Sequence, residues 1–144
     1  MKMKSCLSFE DVLAVGEPRL AEMQQVGDTF TDGESDEACS AFTQQVRNVE
    51  AAVLHSYAIA ATVARKADSL EEVADVWKKM SGFCLAALAI LDSLKGKYPH
   101  CGTAELYDRV LDYKLACDKR YQGALEEKQC LTIALPRGLL PEMR

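Results

Sequence analysis

The sequence has no apolar run long enough to span a bilayer, no excess of positive charge on any predicted long helix, no cysteine pair at C-x-x-C spacing and no glycine-rich phosphate loop. Each absence removes a class of function. The longest uncharged stretches, residues 51–64 and 80–91, fall short of the ~20 residues that a membrane helix requires. Nucleic acid binding needs a basic stripe to neutralise phosphates, whereas the formal net charge is −5. Lys119 and Arg120 are offset by Asp118, Glu126 and Glu127. Nucleotide fingerprints are missing altogether, so no phosphate cofactor is expected.

The six cysteines, Cys6, Cys39, Cys84, Cys101, Cys117 and Cys130, are scattered. A secreted disulfide framework would be denser and would follow a signal sequence. The start "MKMKSCLSFEDVLAVG" reaches Glu10 and Asp11 before any sustained apolar stretch, so it does not read as one. Reduced thiols in a soluble cytoplasmic protein are the expectation.

What remains is a chain of 144 residues, 49% apolar and 27% charged, the composition of a globular domain. One domain of this length buries roughly 70% of the surface its unfolded chain exposes. The acidity is concentrated at the start, where residues 1–34 carry three Lys or Arg against seven Asp or Glu. The expected organisation is a single helical-bundle domain over 1–144: an acidic N-terminal segment and loop (1–34), a three-helix core (35–130) and a proline-containing tail (131–144).

Hydrophobic periodicity is helical almost throughout. Ser69 with Glu72 three residues on forms a capping box, and Glu71 suits the positive end of the helix dipole. From there an apolar seam runs Leu70, Val73, Trp77, Met80, Cys84, Ala87, Leu91 and Leu94 at alternating spacings of 3 and 4, the repeat of a coiled-coil seam. Gly96 and Pro99 are the expected stop. The preceding helix, about 35–67, carries Phe42, Val46, Val49, Val53, Ser56, Ala60 and Val63; the following one, about 103–130, carries Leu106, Val110, Tyr113, Cys117 and Ala124. Short connections make consecutive helices antiparallel. The fold expected is therefore all-α, an antiparallel up-down bundle of three long helices with an irregular N-terminal helical segment broken near Pro18.

The stretch "GFCLAALAILDSL" at 82–94 poses the main question of packing. Early in its helix the face opposite the seam is charged, but further on the same positions become Gly82, Leu85, Ala86 and Ala89. A helix apolar all round is normally buried all round. The expected cover is the N-terminal segment; the tail with Leu135, Leu139 and Leu140, a partner helix or a second subunit are the alternatives. Gly82, Leu85, Ala86, Ala89, Leu139 and Leu140 thus form the candidate partner-binding groove.

No catalytic constellation emerges. His100 beside Cys101 offers two zinc-ligand types, but no second pair stands at ligand spacing. His55 belongs to no Glu-x-x-His, the signature of di-iron bundles. Cys84 and Cys117 are seam residues without a histidine partner, and Cys101 is the expected exposed thiol. Glu105, Asp108 and Asp112 share a solvated helix face. Neither metal nor cofactor is expected.

Residues 104–131, "AELYDRVLDYKLACDKRYQGALEEKQCL", resemble a long arm helix of the sorting-nexin BAR domains through their spaced Leu, Tyr and Arg. That resemblance implies a dimer docking on curved membranes. The chain departs from it in being shorter and in lacking a basic concave face. The function expected from the residues themselves is a non-catalytic helical protein–protein interaction module, an adaptor, regulator or subunit, with a protein partner or a homodimer; the BAR-like peripheral membrane-binding dimer is the alternative.

Overall fold

The computed structural model of the chain describes residues 9–29, 36–97 and 101–137. They form four helices: α1 (Phe9–Thr29), α2 (Asp36–Lys66), α3 (Leu70–Lys97) and α4 (Thr103–Arg137). Among the described residues there is no strand. The chain is an all-α helical bundle. Two antiparallel hairpins, α1/α2 and α3/α4, pack together through α2 and α3; α1 touches α2 and α3, α4 touches the same two helices, and α1 and α4 do not meet.

The heptad seams become the core. Phe42, Val49, Val53, Ser56 and Ala60 of α2 face Trp77, Met80, Cys84, Ala87, Leu91 and Leu94 of α3, and all are buried. Leu106, Val110, Cys117 and Ala124 supply the α4 side. The α2/α3 register follows from the short turn at 67–69, which brings Tyr57 against Trp77 with ring centroids 5.4 Å apart. Ser69 caps α3, accepting a hydrogen bond on Oγ from the Glu72 amide at 3.1 Å. The Glu72 carboxylate accepts from the Asp68 amide at 3.0 Å, so the reciprocal half of the box closes one residue upstream of the cap.

Three expectations require correction. The N-terminal segment is one continuous helix rather than an irregular one, with Pro18 in its interior. Ala14 and Pro18 both lie on the exposed side, where water can serve the Ala14 carbonyl that proline leaves without a partner. Residues 131–137, expected in a non-helical tail, extend α4 to Arg137 and include Pro136. Gly96 lies within α3 rather than ending it. The left-handed glycine is Gly102, at φ 86°, just before α4. Pro99 and the remainder of the tail from 138 lie outside the described residues.

Two glycines of α1 are contact points. A Cβ on Gly16 would stand 2.9 Å from Cζ of Phe83, and one on Gly27 would press still closer on Cδ2 of Leu94. The α1 seam of Phe9, Val12, Gly16, Leu20, Met23 and Gly27 thus lets the helix axis approach α3 where bulkier residues would hold it off. Gly82 of α3 is the opposite case, with open space around it.

These environments predict opposite signs for one substitution. Gly82→Ala should stabilise the bundle by about 0.5–1 kcal/mol through helix propensity alone. Gly16→Ala should cost about 1–3 kcal/mol, because a filled core resists an added methyl. Urea denaturation of both variants checks the pair, and Ser69→Ala should lower stability by about 1 kcal/mol in the same assay.

Candidate functional site

The expected groove is present only in part, and α1 does not cover it. Gly82, Leu85, Ala86 and Ala89 are all exposed, Leu85 at 57%. Their neighbours on 82–94 are not: Leu88 is 7% exposed and Ile90 packs at the edge of the core. The uncovered stripe continues the charged face of the first half of α3, so one side of the helix meets water along its whole length. Three of its four residues have no side chain beyond a methyl, which keeps the exposed apolar area small. Leu139 and Leu140 lie outside the described residues.

A second leucine joins Leu85. Ser81 donates to Asp118 at 2.5 Å, and Lys95 Nζ stands 4.6 Å from the Tyr107 ring centre. These contacts set the antiparallel α3/α4 register and put Leu85 level with Leu115, itself 57% exposed. Leu85 follows Ser81 by four residues and Leu115 precedes Asp118 by three, so both extend the same outer edge of the seam. The register thus sets two exposed leucines level on adjacent helices, with Gly82 and Ala89 also exposed on α3 and Leu111 half-buried on α4. Leu115 was missed in the sequence because it falls outside the seam of its own helix; only the register with α3 gives it a neighbour.

One turn along from these leucines stands a polar cluster. Asp118 accepts from Lys114 at 2.7 Å as well as from Ser81. Partial burial by itself would push the Asp118 carboxyl up, but the hydrogen bonds from Lys114 and Ser81 and the Lys114 charge outweigh it and hold the carboxyl below its ordinary value.

Cys101 is not an exposed thiol. It is 2% exposed, because the turn carrying it folds onto the start of α2, where its sulfur meets that of Cys39 at 3.7 Å. Cys84 and Cys117 are buried as expected; their thiols are in contact, and the Cys84 thiol and burial together push Cys117 far above the usual thiol range.

His55 lines a groove of about 660 Å³ between α2 and α3 with Glu10, Thr62, Lys66, Glu72 and Asp75. Among the described residues no three His, Cys, Asp or Glu side chains are grouped to hold a metal. His100 lies outside them. Arg109 reaches across to Glu50 of α2. Tyr57 packs at a tilt against both Trp77 and Tyr113, with Arg120 over Trp77 at 5.2 Å and donating to the Tyr57 hydroxyl at 3.1 Å. This cluster ties three helices together, and no spacing in the sequence announced it.

Comparison of the chain with protein families, curated proteins and solved structures finds no match. Among the described residues no helix is long and apolar enough to cross a membrane.

The Asp118 cluster generates a titration test. Its lowered carboxyl contributes stability that is present above the unfolded aspartate pKa, about 3.9, and is lost as pH falls through the folded value. Lys114→Met removes the main support and leaves the opposing effect of burial, so the Asp118 pKa should rise. A carboxyl-detected NMR titration of the two proteins reads the change directly.

Proposed function

We propose that this chain is a non-catalytic helical interaction module and that its docking surface is the outer ridge of α3 and α4. The observation that carries this reading is the pair Leu85 and Leu115, level with each other and each more than half exposed. Large apolar side chains clustered on a surface mark interaction sites more often than scattered ones do. The occupant that the ridge fits best is a second copy of the chain.

The argument for self-pairing lies in the exposed stripe of α3. It reads Lys78, Gly82, Leu85, Ala89 and Asp92, spaced 4, 3, 4 and 3, all of it exposed. A two-fold axis at Leu85 with the two α3 helices antiparallel would place Lys78 of one copy against Asp92 of the other, twice. Gly82 and Ala89 then flank the central leucine, where their small size permits close helix approach. Such a contact is isologous and closes on itself, the commonest form of soluble assembly. Opposite charges at the rim set the register, and the leucines supply the apolar centre.

Sedimentation equilibrium over a range of concentrations tests the reading, with a rise toward the mass of two chains expected. Leu85→Glu should weaken association about tenfold or more, since it puts a carboxylate at the apolar centre. Lys78→Asp should also weaken it, and adding Asp92→Lys to that variant should restore it. A mass of one chain at every concentration, or a charge swap that fails to rescue, would remove the support for this surface.

A further inference from the structure

We infer that Cys39 and Cys101 form a reactive dithiol site that closes to a disulfide by exchange with an anionic low-molecular-weight disulfide of the glutathione type, stapling the start of α2 to the turn that begins α4. The inference is independent of the docking ridge. It rests on the distance, the access and the charge at this end of the bundle.

The two sulfurs are 3.7 Å apart across a sequence separation of 62 residues. A disulfide needs about 2.05 Å between sulfurs, so closure requires their approach by under two ångströms. Cys39 stands in the first turns of α2 and Cys101 one residue before Gly102, which lies beside Val46 of α2. The chain segments flanking both thiols are ends of helices rather than their centres, where such an adjustment meets least resistance.

Access distinguishes this pair from the other. Cys84 and Cys117 also touch, but both are 0% exposed within the α3/α4 seam. Cys39 is half-buried and lines an open groove of about 410 Å³ with Thr43 and Arg47. Cys101 lines the adjoining groove of about 320 Å³, which shares Thr43 and Arg47. Arg47 is exposed and is the charged residue lining the groove at Cys39, whereas the groove at Cys101 also carries Arg109 with Glu50 and Glu105; at Cys39 the guanidinium favours a carboxylate-bearing disulfide over a neutral or cationic one.

The more accessible Cys39 reacts first. Its thiol gives up a proton, and the thiolate attacks one sulfur of the small disulfide, breaking that S–S bond and expelling a thiolate that takes up the proton. Cys101, likewise deprotonated, then attacks the Cys39 sulfur and expels the second small thiol. The protein loses two electrons and two protons as one S–S bond forms, and the small disulfide takes them up to become two thiols.

Treating the full chain with glutathione disulfide and mapping the cross-linked peptides by mass spectrometry tests this. The expected product joins Cys39 to Cys101, leaves Cys84 and Cys117 as thiols, and raises Tm on the order of 10 °C by closing so long a loop. Cys101→Ser should retain one glutathione on Cys39, and Arg47→Glu should slow the reaction with glutathione disulfide while leaving that with a cationic disulfide such as cystamine unslowed. Circular dichroism confirms that each variant is folded. A folded protein whose Cys39 and Cys101 stay reduced under excess reagent, or whose cross-link joins other cysteines, overturns the inference.

Discussion

The contact of α2 with α3 is the constraint on which the rest of the bundle depends, because each of the other helices touches both members of that pair and α1 and α4 never touch each other. The turn at 67–69 is too short to allow any register but one. Once Tyr57 stands against Trp77, the seams of both helices face inward together, and the two open sides of the pair are left as troughs. α1 occupies one through its glycines, and α4 occupies the other through Leu106, Val110 and Cys117. Long-range ion pairs at the surface, such as Glu10 with Lys79 at 2.8 Å, decorate this arrangement; exposed pairs of this kind contribute little, typically under ~1 kcal/mol.

That geometry explains why α3 can be uncharged for twelve residues and still present a face to water. Its three neighbours close three sides of the helix, with Phe83 and Leu94 toward α1 and Cys84 and Leu88 toward the centre and α4. The fourth side carries Gly82, Ala86 and Ala89, whose exposure costs little, and Leu85, whose exposure does not come as cheaply. An absence of charge is therefore a different property from a need for cover. The distinction lies in side-chain volume, and it narrows the surface in question from a whole helix circumference to a single leucine and its counterpart on α4.

The long helices, their seams and the Ser69 cap could be read directly from residue spacing, because each is set by contacts within one helix or by a period that one helix displays. The roles of Pro18, Gly16 and Gly27 could not. Proline breaks a helix only where the freed carbonyl has no other partner, and glycine weakens one only where no neighbour exploits the missing side chain. Both conditions belong to the packed molecule. The same holds for Cys39 with Cys101, Glu50 with Arg109, and Tyr57 with Arg120, which are separated by 62, 59 and 63 residues and are brought together by the α2/α4 juxtaposition. Cys101 shows the difference most plainly: beside His100 and Gly102 it has the local signature of an exposed loop, and the same turn folds it under α2.

Reactive groups and apolar surface are consequently partitioned across the molecule. The sealed thiols Cys84 and Cys117 serve as small apolar side chains in the seam, a use open to cysteine only while it is shielded from oxidants and bases. Of the α4 carboxylates, Asp118 is tied to Lys114, and Glu105, Asp108 and Asp112 are spread along a solvated face. The packed seam also sets the spacing of α3 and α4, on which the exposed Leu85 and Leu115 stand level.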